Sequence, residues 1–126
     1  MKLLLDSHVI VWWLARPGAL KKGALDKLER SENELFVSAV SWWELGIKRA
    51  LQRLQFDIDV LAGFLDRANA HRLSVTFAHA ESAATLPLHH SDPFDRMLAA
   101  QTLVEGLVLM TRDRAFEAYK IPIFPA

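Results

Sequence analysis

Short apolar runs alternate with longer helix-periodic stretches along this chain, and that alternation restricts it to a small set of layered architectures. Residues 3–5, 35–37, 73–75, 107–110 and 121–124 are short, apolar and mostly bounded by polar or turn residues, the signature of strands. Between them, residues 8–15, 20–30, 39–53, 58–71, 78–86 and 93–105 carry helical periodicity. It is plain in Val60, Leu61, Phe64, Leu65 and Ala68, and again in Phe94, Met97, Leu98 and Leu103. Strands alternating with helices join as parallel neighbours through right-handed crossovers that place helices on both faces. The expected fold is α/β, a three-layer sandwich around a central parallel sheet. Pro122 lacks a backbone donor, which predicts that the last strand lies at an edge. Arg16-Pro17-Gly18 predicts a turn between two helices. With no internal repeat and no Pro/Gly-rich linker, residues 1–126 are expected to form one domain.

Four acidic residues, Asp6, Glu44, Asp95 and Asp113, each follow an apolar run or fall in the first turns of the next helix. In a parallel sheet the strand ends that precede helices lie along one edge, so residues remote in sequence converge there. Clustered carboxylates repel, and one stays protonated unless a cation neutralises them. A hard divalent ion with oxygen ligands suits such a cluster in a chain without cysteine. Each acid also has an ordinary structural reading. Ser41-Trp42-Trp43-Glu44 fits a capping box, although Ser38 is the better N-cap and places Glu44 deeper in its helix. Asp92-Pro93-Phe94-Asp95 is a strong helix start, with Asp92 as N-cap, Pro93 at N1 and Asp95 favoured by the helix dipole. Asp113 equally suits the start of a short helix over residues 114–119. Asp6 ends a central strand and has no cap motif after it.

Composition narrows the setting. The chain is 52% hydrophobic and 24% charged, which places it among folding sequences. The absence of cysteine excludes a disulfide scaffold and thiolate zinc sites. Residues 9–15 form the longest apolar stretch, far short of the roughly 20 residues of a membrane helix. Asp6 interrupts the first apolar run too early for a signal peptide. A soluble, cytoplasmic protein with no membrane association is expected. Lys and Arg number 15, as do Asp and Glu, so no global positive field draws a polyanion. Any nucleic acid must be held locally, with Arg96, Arg112 and Arg114 the better candidates beside the acids. Lys48, Arg49 and Arg53 read as a solvated helix face.

The ordered set of motifs resembles the PIN-domain ribonucleases, in particular the VapC-type toxins of bacterial toxin-antitoxin pairs. The segments that carry the resemblance are Leu3-Leu4-Leu5-Asp6-Ser7-His8, Ser38-Ala39-Val40-Ser41-Trp42-Trp43-Glu44-Leu45, His90-Ser91-Asp92-Pro93-Phe94-Asp95-Arg96-Met97-Leu98-Ala99-Ala100-Gln101 and Leu109-Met110-Thr111-Arg112-Asp113. Together they span nearly the whole chain. The resemblance implies strand order 3-2-1-4-5 and an endoribonuclease dependent on Mg²⁺ or Mn²⁺. It further implies inhibition by a cognate antitoxin, with Asp6, Glu44, Asp95 and Asp113 as the acidic quartet and Asp92 as an extra carboxylate. His8 departs from the family, where many members carry Asn.

In that strand order the switch point lies between strands 1 and 4, where Asp6 and Asp113 emerge. Asp6, Asp95 and Asp113 are then expected closest to the metal. Glu44 is a ligand through water or the group that orients the nucleophile in an in-line hydrolysis of RNA. Ser7 and Asp92 are candidates to hydrogen bond around the metal. His89-His90 suits a loop with no chemistry. Of Trp12-Trp13 and Trp42-Trp43, one of each pair is expected in the core and the other near the surface, against a homodimer mate or an antitoxin helix. Alternatives are a non-catalytic α/β interaction module and a metal-dependent DNA nuclease. A phosphatase of the doubly wound kind would want a second Asp at position 8.

Overall fold

A computed structural model describes residues 1–53, 57–88 and 91–126. The chain runs through β1 (Lys2–Leu5), α1 (Ser7–Ala15), a 3₁₀ turn (Pro17–Ala19), α2 (Lys22–Glu29), β2 (Glu34–Ser38), α3 (Ala39–Ala50), α4 (Ile58–Arg67) and β3 (His71–Leu73). It continues through α5 (Phe77–Thr85), α6 (Pro93–Glu105), β4 (Val108–Thr111), a 3₁₀ helix (Arg114–Tyr119) and β5 (Ile123–Pro125). The five strands form one sheet in the order β3-β2-β1-β4-β5, and every pairing is parallel. The expected topology is therefore observed, with β5 at an edge.

β1 sits at the centre, with Leu4 opposite Phe36 of β2 and Leu109 of β4. Successive strand residues point to opposite faces, and both faces are covered. Leu3 and Leu5 pack with Val9 and Ile10 of α1, Ala24 and Leu28 of α2 and Leu61 and Leu65 of α4. Leu4 packs on the other face with Leu98 and Ala99 of α6 and with Phe116 and Tyr119 of the 3₁₀ helix. Three consecutive leucines are needed because no face of this strand meets water. Each contributes roughly 1.5–3 kcal/mol relative to an exposed position. Helix α3 belongs to both clusters, through Leu45 on one side and Val40 on the other. It therefore lies across the end of the sheet where the strands finish.

Several expected boundaries shift by a few residues, and those of α4 and the third strand show why. The third strand occupies His71–Leu73, not residues 73–75, and α4 ends at Arg67. Asn69 takes a left-handed conformation (φ 57°), and the Ala70 N–H donates to the Leu65 carbonyl at 3.0 Å. This six-to-one closure stops the helix and releases the chain into the sheet at once. Apolar periodicity continues through Ala68, so periodicity alone ran the helix too far.

Helix α6 ends at Gly106, with φ 64° and ψ 42° and no atom within 4 Å of where a side chain would begin. Its role is conformational, since left-handed backbone costs other residues on the order of 1 kcal/mol. Gly106→Ala is expected to lower the unfolding free energy by that amount, read as a lower urea midpoint with an unchanged slope, and Gly106→Asn to lose less, measured by equilibrium denaturation.

Candidate metal centre at the strand ends

Asp6 leaves β1 at the switch point and is 3% exposed. Its amide extends the β1–β4 ladder by donating to the Met110 carbonyl at 3.1 Å. Its side chain caps α1: Oδ1 accepts from the Ser7 N–H at 2.8 Å. The cap went unnoticed in the sequence because the acceptor is the strand-ending Asp itself. Oδ2 accepts from the Thr111 hydroxyl at 2.7 Å, and Nδ1 of His8 lies 3.5 Å from it. Among the described residues no Lys or Arg pairs with Asp6, and the His8 ring is the basic side chain beside it. A buried carboxylate that only accepts hydrogen bonds and has no fixed cation is costly, and such a group could hold a cation.

Thr111 links this carboxylate to the next. Its hydroxyl donates to Asp6 and accepts from the Asp113 N–H at 3.0 Å, so one side chain joins the ends of β1 and β4. Asp113 is half-buried, and its Oδ1 accepts from Ala115 N–H at 2.9 Å, capping the 3₁₀ helix. Sequence reasoning passed over Thr111. The available signal was a hydroxyl at the end of a buried strand, two residues before a candidate ligand.

Glu44 and Asp95 approach from helices. Val40, one turn before Glu44, shares a cluster with Leu98 and Ala99, one turn after Asp95. Residues spaced by one turn lie on the same helix face, so both half-buried carboxylates stand at the rim above that shared core. Their chain neighbours Trp43 and Phe94 touch edge to face, with ring centroids 5.2 Å apart. Ser38 caps α3, accepting from Val40 N–H at 3.1 Å, so Glu44 is not part of a capping box. Asp92 caps α6, its Oδ1 accepting from Phe94 N–H at 2.9 Å and from Asp95 N–H at 3.4 Å. It thereby holds the turn that carries Asp95, and the helix dipole favours negative charge there.

Among the described residues no three His, Asp or Glu side chains close into a metal-holding group. Thr111 links Asp6 to Asp113, and the contact of Trp43 with Phe94 brings together the turns that carry Glu44 and Asp95. The donor set, all oxygen and anchored at strand and helix ends, has the chemistry of a Mg²⁺ or Mn²⁺ site.

The arginines divide differently from expectation. The Arg96 guanidinium donates to the carbonyls of Ala83 (2.7 Å), Leu86 (2.9 Å) and Pro87 (2.9 Å), closing the end of α5. Arg112 donates through Nε (3.2 Å) and Nη2 (2.7 Å) to the Ala126 carbonyl and also to that of Ala19, and its guanidinium lies 4.3 Å from the Trp12 ring centre. Both guanidiniums are engaged by backbone carbonyls of the protein itself. Arg114 is exposed, pairing with Glu117 at 3.4 Å. Trp43 is 64% exposed while Trp42 is half-buried, as expected of adjacent helical residues. Trp12 and Trp13 are both half-buried, because His8 and Arg112 cover one and Phe64 the other. His89-His90 lies outside the described residues.

Thr111→Val removes the donor to Asp6 and the acceptor for Asp113 in one isosteric change. An expected loss of about 1–3 kcal/mol in chemical denaturation follows from leaving these groups unpaired. Arg96→Ala should cost a similar 1–3 kcal/mol or so and leave the affinity of the folded protein for RNA unchanged, read by melting and by filter binding.

Comparison with known proteins gives a consistent result. A PIN domain family model matches residues 3–122. Ribonuclease VapC22 of Mycobacterium tuberculosis is 36% identical over 122 residues, covering 95% of this chain and 93% of the relative. Among solved structures, a chain of VapBC2 from Rickettsia felis bound to a promoter DNA fragment superposes with a TM-score of 0.76 at 13% identity, covering 100% of this chain and 99% of that one. A toxin-antitoxin complex from Klebsiella pneumoniae gives 0.65 at 18% identity, covering 98% and 95%. Identities this low speak for the fold alone.

Proposed function

Because the chain belongs to the PIN-domain family, we propose that it is a divalent-metal-dependent endoribonuclease, the toxin of a toxin-antitoxin pair. The nuclease activity follows its ribonuclease relative, and the antitoxin partner follows the toxin-antitoxin complex that shares the fold. The observation that carries the reading is the buried, acceptor-only Asp6 carboxylate, joined through Thr111 to Asp113 at the switch point of the sheet. An interaction module has no use for such a costly group, and the family match weighs the same way.

Asp6, Asp95 and Asp113 would hold Mg²⁺ or Mn²⁺, and Glu44, across the rim on α3, would hold the attacking water in line with the scissile bond. When bound, the ion neutralises the phosphodiester oxygens and makes water a competent nucleophile near neutral pH. Thr111 and the Ser7 amide keep the Asp6 carboxylate in one orientation. Asp92 keeps the first turn of α6 formed under Asp95. Arg114, exposed beside Asp113, reaches an RNA phosphate. The exposed row Trp43, Ile47 and Leu51, along α3 and its C-cap, offers a protein partner an apolar face, whether the antitoxin or a second copy in a homodimer. Among the described residues no helix is long and apolar enough to cross a membrane.

Titration with Mg²⁺ or Mn²⁺ should raise the melting temperature of the wild type by an amount equivalent to about 2.7 kcal/mol at a hundredfold excess over the dissociation constant. Asp6→Asn, which keeps an acceptor for the α1 cap, should lose that shift. Asp6→Asn, Asp95→Ala and Asp113→Ala should each abolish RNA cleavage while folding normally, followed by circular dichroism. Unfolding of all three, or cleavage that persists in chelator, would refute the assignment.

A further inference from the structure

We propose that His8 is a positioning residue of this site, holding the Asp6 carboxylate through Nδ1–H while the Arg112 amide holds its Nε2; the inference rests on the metal-centre reading above. The backbone N–H of Arg112 donates to Nε2 at 3.3 Å. A ring nitrogen that accepts carries no hydrogen, so in the neutral ring the hydrogen sits on Nδ1, the atom that faces Asp6. Nδ1 stands 3.5 Å from Oδ2. That is an electrostatic approach longer than a formed hydrogen bond, and such contacts tighten when the ligand is in place.

Two neighbouring amides converge on one carboxylate. The Arg112 N–H reaches Asp6 through His8, and the Asp113 N–H reaches it through Thr111. The imidazole is packed at 4.9 Å against Trp12, whose ring also takes the Arg112 guanidinium. Helix α1 and the loop after β4 therefore grip the ring from both ends. The consequence lies on Asp6. Oδ2 is engaged by Thr111 and faced by His8, whereas Oδ1 receives the Ser7 amide alone among the described residues. A carboxylate offers about four acceptor directions, so the direction left open to a ligand is on Oδ1. His8 selects which oxygen of Asp6 is presented.

The test uses the full chain. Nitrogen-15 spectroscopy of the metal-free protein should find His8 as the Nδ1–H tautomer; the Nε2–H tautomer would overturn the proposal. His8→Leu, which keeps the bulk and loses both nitrogens, should weaken Mn²⁺ binding in calorimetry by about tenfold to a hundredfold. RNA cleavage should fall in kcat rather than KM. His8→Asn places an amide N–H where Nδ1–H stands and should recover most of both losses. Unchanged Mn²⁺ affinity in His8→Leu, or no recovery in His8→Asn, also overturns it. Absence of cleavage in the wild type would sink the ribonuclease reading separately, because the tautomer and the Mn²⁺ affinities are read without substrate.

Discussion

The Asp6 carboxylate is taken almost wholly out of water, and desolvating an ion costs several kcal/mol even after relaxation. Much of the surrounding structure serves to make that burial tolerable. The Ser7 amide, the Thr111 hydroxyl and the His8 ring each turn positive polarity toward it, and it sits at the N-terminus of α1, where the helix dipole favours negative charge. None of these groups supplies a full fixed positive charge. In the proposed metal reading, that deficit is what would give the site its affinity for a cation.

The sheet determines where this can happen. A central strand buried on both faces emerges at one place only, and the order β3-β2-β1-β4-β5 makes that place the gap between β1 and β4. Helix α3 contributes to the cores on both sides of the sheet, so it must cross the strand ends. That crossing brings Trp43, the neighbour of Glu44 in the chain, against Phe94 of α6. The acidic rim is thus a result of how two apolar cores share one helix.

Misreadings of the sequence have a common origin. Arg96 and Arg112 were placed near the acids correctly, but the availability of a guanidinium depends on which carbonyls the fold brings within reach. The carbonyls of Ala83, Leu86 and Ala126 are remote in sequence from their partners, and nothing local announces the pairing. Thr111 was missed for the same reason, since its partner lies 105 positions away. The split of Trp12-Trp13 between core and surface rested on helix geometry alone, without the Arg112 side chain that lies over Trp12. The end of α4 was local, yet it was decided by a left-handed Asn69 that apolar periodicity does not register.

By itself the sequence determined the class of fold, the edge position of the last strand and the N-caps at Ser38 and Asp92. Each of these is encoded within a few residues by periodicity, a missing donor or a side chain of the right length. It also named the acids, because carboxylates after parallel strands have a common destination. Only the tertiary structure decided which oxygen of Asp6 is engaged, that Thr111 and His8 stand between Asp6 and the β4 loop, and which arginines are committed to the protein. Those outcomes depend on hydrogen bonds of a few ångströms between segments about a hundred residues apart, and their geometry exists only once the sheet has closed.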